Sequence, residues 1–172
     1  MTDGRRDPLA VPLLVASKLI GAGVGLAAPL LRRAATVELD WDTRQKSRFD
    51  VTDSLGRRIG VFLPRGQAVR GGDVLVVDDG SLVAVRARPQ PVLTVRLRAG
   101  GAPLDLLRAA YHLGNRHVPL EVTPDQLQLE PDHVLADLLR RMGLQVEAVE
   151  AAFEPESGAY GAAPGHSHPH AP

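Results

Sequence analysis

The chain has 172 residues, enough for one domain or two small ones, and its apolar content of 44% can supply a hydrophobic core. It contains no cysteine, which excludes disulfides and thiol catalysis and restricts any transition-metal site to His, Asp and Glu ligands. The net charge is zero, but residues 1–98 carry +6 (16 Lys and Arg, 10 Asp and Glu) and residues 99–172 carry −6 (4 and 10). This asymmetry favours two modules, and the basic half lacks the aromatic residues that would stack on nucleic-acid bases.

The N-terminal segment is apolar over residues 9–31, which is long enough to suggest a membrane span or a signal peptide. A charge in the middle of the segment, Lys18, together with two prolines and three glycines, argues against both readings. The pattern favours a buried strand over residues 13–20, a glycine-rich loop and a short helical turn. We therefore assign residues 1–34 to an apolar extension that includes the first strand.

Residues 35–88 show short runs with period-2 alternation, separated by turn signals every 8–12 residues, which predicts a small all-β domain. The predicted strands are residues 36–41, 49–52, 59–63, 73–77 and 82–86. Two prolines in the next three residues, 89–91, predict a stiff linker.

Residues 92–157 predict a second domain in which strands alternate with helices. The predicted elements are a strand at 92–98, a helix at 103–113, strands at 119–122 and 126–129, a helix at 132–142 and a strand at 144–152. The order β-α-β-β-α-β indicates a ferredoxin-like fold, with both helices on one face of a four-stranded antiparallel sheet. The overall fold class is therefore α+β.

The six histidines all lie between residues 112 and 170, and three of them, His166, His168 and His170, form a His-X-His-X-His tract in a tail over residues 158–172. The tail has little apolar mass, so we expect it to be flexible. A flexible chain can fold neutral imidazoles around one ion, and imidazole suits Ni²⁺, Cu²⁺ and Zn²⁺. A spacer or a remnant of an expression tag is the alternative reading.

The remaining histidines are less distinctive when they are judged from the residues alone. His117 follows the first predicted helix after the stop signal Gly114-Asn115, and His133 follows the predicted cap Asp132. Each is most simply a solvated surface residue, although a twofold axis would double every ligand. His112 lies within a predicted helix and is interpreted as structural or solvent-facing.

Motifs for catalysis are absent from the sequence. There is no phosphate-binding loop, no Gly-x-Ser-x-Gly and no His-Glu-x-x-His, so we predict that the protein is not an enzyme.

Four segments resemble the urease accessory protein UreE family of nickel chaperones. They are Leu-Asp-Trp-Asp-Thr-Arg-Gln-Lys-Ser-Arg at 39–48, Leu-Pro-Arg-Gly at 63–66 with Gly-Gly-Asp at 71–73, Tyr-His-Leu-Gly-Asn-Arg-His-Val-Pro-Leu at 111–120, and Asp-His-Val-Leu at 132–135 with Phe-Glu-Pro-Glu-Ser-Gly-Ala-Tyr at 153–160. The resemblance covers about residues 35–170, and the histidine-bearing tail completes it.

The resemblance implies a β-domain followed by a ferredoxin-like metal-binding domain, and a homodimer joined through the second domain. It implies that His117 meets its symmetry mate and binds Ni(II) across the twofold axis. His133 matches a peripheral ligand position, whereas a neighbouring histidine of the family is replaced here by Pro131. His166, His168 and His170 would then be auxiliary ligands, and Cu(II) or Zn(II) could replace nickel in vitro.

The resemblance also implies a cytoplasmic protein that delivers nickel to apo-urease through the urease accessory GTPase, with no nucleic-acid or membrane partner. The alternative is a metal-independent adaptor or folding chaperone of the urease assembly complex, in which the basic residues 1–98 dock an acidic partner. The residues alone do not rank Ni²⁺ against Cu²⁺ or Zn²⁺, because imidazole accepts all three.

Overall fold

A computed structural model describes residues 13–157 and divides the chain into two compact domains after Arg86. The first domain is rich in strands, and the second mixes strands with two longer helices. Within the described residues, no helix has the length and apolar character needed to cross a bilayer.

The first domain contains a six-stranded sheet and two short helices. Its elements are β1 (Leu14–Ile20), a 3-10 turn (Gly21–Gly23), α1 (Ala28–Arg33), β2 (Ala35–Leu39), α2 (Trp41–Arg44), β3 (Arg48–Thr52), β4 (Arg58–Phe62), β5 (Val74–Val77) and β6 (Leu82–Ala87). The strand order is β2-β6-β5-β1-β4-β3. The core of this domain is aliphatic, built mainly from Val, Leu and Ile side chains that the strands turn inward.

The strand β1 is a central part of this sheet. It pairs parallel to β4 and antiparallel to β5, with a bulge between Ala16 and Lys18. The predicted strand, loop and helical turn are present, but the strand is not buried as predicted: only Ala16 is buried, and Ser17 and Lys18 are exposed. However, the separation of residues 1–34 from the β-domain was wrong from residue 14 onward, because β1 fills the gap between two strands that would otherwise be edges.

The predicted strand at 36–41 ends two residues early, because Asp40 caps helix α2, which begins at Trp41. The Asp40 carboxylate accepts a hydrogen bond from the Thr43 N–H at 2.9 Å, which satisfies a donor at the helix N-terminus. Arg44, in the last turn of α2, is fully buried. Its Nε donates to the Leu39 carbonyl at 3.2 Å, and its guanidinium lies 5.3 Å from the centre of the Trp41 ring. The cation therefore joins α2 to the end of β2.

The second domain has the predicted ferredoxin-like fold. Its elements are β7 (Gln90–Arg96), α3 (Pro103–Gly114), β8 (Glu121–Val122), β9 (Gln126–Leu129), α4 (His133–Arg141) and β10 (Gln145–Ala151). The strand order is β10-β7-β9-β8, and every neighbouring pair is antiparallel. Gln90 and Pro91, which we predicted to lie in a linker, instead pair with Ala151 and Glu150 at the start of β7.

The two faces of the second sheet differ. Leu93 and Val95 point toward the helices and share a core with Leu106, Leu113 and Leu139. Because side chains alternate along a strand, the intervening residues of β7 point to the opposite face, which carries neither α3 nor α4. We call this the open face, and the segment that follows β10 crosses it.

Candidate metal-binding site

His117 lies at the C-terminal end of helix α3, and hydrogen bonds of the helix end fix its backbone. Its N–H donates to the Gly114 carbonyl at 2.9 Å, and the N–H of Val118 reaches back to the Leu113 carbonyl at 3.3 Å. This pair of bonds defines a Schellman motif, with His117 in the left-handed position at φ 57°. Val118 packs against the core, as the residue after such a motif often does.

Helix α4 ends in the same motif and shows what is unusual about His117. There the Gly143 N–H donates to the Arg140 carbonyl at 3.0 Å and the Leu144 N–H to the Leu139 carbonyl at 3.1 Å, with Gly143 at φ 86°. Glycine adopts this conformation without a Cβ clash, whereas for an L-residue the conformation costs about 1–2 kcal/mol of free energy. A histidine in the glycine position is therefore a local energetic cost.

The side chain of His117 is exposed to solvent. The nearby guanidinium of Arg116 donates to the carbonyl of His112 at 2.9 Å, which directs this cation toward the free carbonyls of the helix end. His112 is also exposed, and its ring meets that of Tyr111 edge-on at a centroid distance of 5.5 Å. His112 therefore has an aromatic neighbour and an ordinary helical backbone, in contrast to His117.

An exposed apolar stripe runs along α3 toward His117. Leu104, Leu107 and Tyr111 are 49%, 65% and 67% exposed, and their spacing of three and four residues places them on one face of the helix. A groove of about 580 Å³ opens beside this stripe and is lined by apolar residues that include Leu97 and Val122. Contiguous exposed apolar surface of this kind is typical of a protein–protein contact.

His133 is the first residue of α4 and is exposed. The side chain of the preceding residue, Asp132, accepts hydrogen bonds from the N–H groups of Val134 and Leu135 at 2.8 and 2.9 Å, so this carboxylate is occupied as a helix cap. Its neighbour Pro131 supplies no ligand. The ligand role of His133 remains a prediction.

Within residues 13–157, no three His, Asp or Glu side chains are grouped closely enough to hold a metal ion. The structure does not bring His112, His117 and His133 into such a group. The three tail histidines lie outside the described residues. A single imidazole holds a metal weakly, so any site at His117 would need ligands from elsewhere.

The fold and this geometry describe a class of protein: a strand-rich domain joined to a ferredoxin-like domain that presents exposed histidines, one of them in a left-handed position at the end of a helix with an exposed apolar face. The comparisons with known proteins refine this class. The family description "UreE urease accessory protein, N-terminal domain" matches residues 16–88, and "UreE urease accessory protein, C-terminal domain" matches residues 90–172. The chain belongs to the UreE family of urease accessory proteins.

Curated relatives with this family name are highly similar. A urease accessory protein UreE of Methylibium petroleiphilum is 69% identical over 90% of this chain and 71% of its own length. One from Polaromonas naphthalenivorans is 64% identical over 93% of this chain and 77% of its own. One from Albidiferax ferrireducens is 65% identical over 92% of this chain and 91% of its own. The family resemblance seen in the sequence is therefore confirmed.

Sequence reasoning missed two features of the site. It placed the helix stop at Gly114, whereas Gly114 is the last helical residue and the left-handed turn falls three residues later, at His117. It also did not predict which face of α3 is exposed, where Leu104, Leu107 and Tyr111 lie. Helical spacing predicts an apolar face, but two adjacent apolar faces on one helix leave open which of them is buried.

Proposed function

We propose that this protein is a nickel metallochaperone that delivers Ni(II) to apo-urease during urease maturation, and that its working site is shared across a homodimer at His117. Membership of the urease accessory protein family supports the role in maturation. The observation that carries the metal assignment is His117 itself, an exposed imidazole held in a backbone conformation that costs stability.

The α3 face supports the dimer. Leu104, Leu107 and Tyr111 would be covered by the same residues of a second copy, because a twofold interface brings one patch against itself. The stripe leads to the helix end at His117, so a twofold axis passing near this end would bring two imidazoles together. Two copies then supply two ligands where one chain supplies one.

An incompletely coordinated ion suits delivery rather than storage. Two imidazoles leave positions open for the tail histidines His166, His168 and His170, or for ligands of a receiving protein. Open positions permit ligand exchange, which a closed structural site opposes. The partners are the urease accessory GTPase and, through it, apo-urease, and this exchange is expected to occur in the cytoplasm without catalysis of a reaction.

Titration calorimetry on the purified full-length protein tests the site. We expect about one tightly bound Ni²⁺ per two chains, and we expect His117→Ala to remove it. His112→Ala is the matched control, since it removes another exposed imidazole from the same helix end and should leave the tight site intact. Unchanged affinity in His117→Ala would refute the assignment of the site.

Metal selectivity and the adaptor alternative need separate measurements. Competition among Ni²⁺, Cu²⁺ and Zn²⁺ is informative because copper is expected to bind tightest to imidazole. Capture of the GTPase or urease in the presence of a chelator would favour the metal-independent adaptor. Capture that requires nickel supports delivery.

A further inference from the structure

Residues 21–31, which follow β1 and include the first turn of α1, form a surface segment without any polar side chain, and we call it the apolar loop. Its sequence is Gly-Ala-Gly-Val-Gly-Leu-Ala-Ala-Pro-Leu-Leu. Eight of the eleven residues are exposed, and only Gly23 is buried. Val24 and Leu30 are 78% and 52% exposed. An exposed apolar run of this length is unfavourable in water unless it serves a contact.

Hydrogen bonds hold the backbone of the apolar loop in one conformation. The N–H of Val24 donates to the Gly21 carbonyl at 3.0 Å and closes a tight turn. Within this turn, the N–H of Ala22 donates at 2.9 Å to the carboxylate of Asp73, which is 5% exposed and precedes β5. Ala22 has φ 49°, a left-handed conformation that strains an L-residue. The loop therefore has a fixed, locally strained shape from which Val24 projects into solvent.

Close packing between the loop and α1 determines which side chains face outward. A Cβ added to Gly23 would lie 3.1 Å from the Cδ2 of Leu31 and 3.5 Å from the Cγ2 of Val74, so α1 and β5 both close on this glycine. Val74 is fully buried, and Leu31 is half-buried beside it. Leu30 lies about 100° from Leu31 around the helix, and its side chain is left in solvent.

The charges of the segment that contains the apolar loop are all positive. Residues 8–37 include Lys18, Arg32 and Arg33 but no Asp or Glu. All three cations are exposed, and the two arginines lie in the last turn of α1, directly after the apolar residues. A surface that complements this segment would combine an apolar pocket with an acidic rim.

A protein surface fits these observations better than a second copy of the chain or a lipid bilayer. A symmetric contact between two copies would bring Arg32 and Arg33 against the same cations of the other copy, and like charges oppose association. A bilayer is fluid and has no fixed shape to match. A loop whose backbone is already fixed loses less entropy when it enters a shaped pocket, which favours a folded protein as the occupant.

We propose that the apolar loop is a docking element of the first domain, which inserts Val24 and Leu30 into an apolar pocket of a protein of urease assembly, with Arg32 and Arg33 at the acidic rim of that pocket. This inference rests on the proposed function, which names the urease accessory GTPase and apo-urease as partners. The loop lies in a different domain from His117, so docking and nickel binding should be removable one at a time.

The experiment measures binding of the nickel-loaded full-length protein to the purified GTPase and to purified apo-urease, separately, by biolayer interferometry. Val24→Ser combined with Leu30→Ser, the serine variant, removes apolar side chains that are already exposed. We expect it to weaken binding to at least one of the two proteins by about tenfold or more, because apolar anchors in a pocket dominate binding energy. Leu55→Ser, at a leucine that is 69% exposed in another turn of the first domain, is the matched control and should bind like the natural protein. Thermal unfolding checks that each variant is folded.

A second pair of variants tests the acidic rim. Arg32→Ala combined with Arg33→Ala should slow association by about three- to tenfold at low salt and by less at high salt. Arg65→Ala combined with Arg86→Ala removes two other exposed arginines of the first domain and should leave the association rate unchanged. Equal slowing by both pairs would attribute the effect to net charge and overturn the inference.

Three other results would overturn the inference. The first is unchanged binding of the serine variant to both proteins. The second is a lower molar mass of the serine variant in light scattering, which would identify a second copy of the chain as the occupant. The third is flotation of the natural protein with phosphatidylglycerol vesicles that the serine variant abolishes while its binding to both proteins is unchanged, which would identify a bilayer.

Failure of the inference is distinguishable from failure of the proposed function. Titration calorimetry should give the serine variant the same nickel affinity as the natural protein. If His117→Ala abolishes tight nickel binding and both proteins are bound independently of the apolar loop, only the inference falls. If the natural protein binds neither the GTPase nor apo-urease, the proposed delivery falls first and the inference falls with it.

Discussion

Replacement of His117 by glycine should stabilise the protein and disable it in the same step. The substitution removes the imidazole and places glycine in the left-handed position that Gly143 occupies at the end of α4. Relief of the left-handed strain is worth about 1–2 kcal/mol. Glycine also loses more backbone entropy on folding than histidine does, which offsets about 0.4–1 kcal/mol of this gain. Because the side chain of His117 is exposed, little packing is lost, and we expect a net gain of about 0.5–1 kcal/mol.

The assay is urea unfolding of the metal-free protein in a chelator, at one fixed protein concentration, followed by circular dichroism. His117→Ala is the matched variant, because it also lacks the imidazole but keeps a Cβ in the strained position. We expect the free energy of unfolding of His117→Gly to exceed that of His117→Ala by about 1 kcal/mol and that of the natural protein by a smaller amount. The slope of the unfolding free energy against urea should be unchanged.

Saturating nickel should reverse this order. A ligand that binds only the folded state stabilises it by about 2.7 kcal/mol at one hundred times its dissociation constant. The natural protein gains this increment and both variants lose it, so the natural protein becomes the most stable of the three. A glycine variant no more stable than the alanine variant in chelator would refute the strain argument. A glycine variant that keeps the full nickel increment would refute the metal assignment.

Three further substitutions test the α3 face and two of the buried charges of the first domain, Arg44 and Asp53. Leu107→Glu should convert the proposed dimer to a monomer in light scattering, whereas Leu55→Glu, at a similarly exposed leucine of the first domain, should not. Arg44→Met should lower the free energy of unfolding of the first domain by about 2–4 kcal/mol, because buried carbonyls lose their donor, while Lys46→Met, at an exposed ion pair, should stay within about 0.5 kcal/mol. Burial raises the pKa of Asp53, but hydrogen bonds from the backbone and guanidinium of Arg57 and from the Leu55 N–H lower it more, so the stability that this carboxylate contributes is present at neutral pH and is lost as the pH falls below about 4. Urea midpoints measured from pH 7 to pH 3 should converge for the natural protein and Asp53→Asn, and parallel curves would contradict this.

The sequence by itself determined most of the secondary structure and the fold of the second domain. Period-2 runs and helical spacing, bounded by Gly, Pro and capping residues, placed the strands and helices of the βαββαβ unit to within about two residues of where the structure has them. These signals are local, since they depend on the backbone preferences and side-chain alternation of neighbouring residues. The sequence motifs around Trp41 and His117 indicated the protein family.

Tertiary structure decided what depends on partners distant in the chain. The apolar run at residues 14–20 became a central strand only because β4 and β5 lie on either side of it. Pro91, which looked like a linker residue, is held at the start of β7 by its pairing with β10. In both cases hydrogen bonds between remote strands outweigh the local pattern.

At the candidate site, too, local sequence predicted some features and the tertiary structure decided others. The sequence identified His117 by its neighbours, but its left-handed backbone follows from hydrogen bonds of the helix end, and the exposed face of α3 follows from which side the sheet covers. The course of residues 152–157 was not predicted, because these residues carry no periodic signal. Their course is set by Glu121 and Leu120, more than thirty residues earlier, and only the folded sheet brings them together.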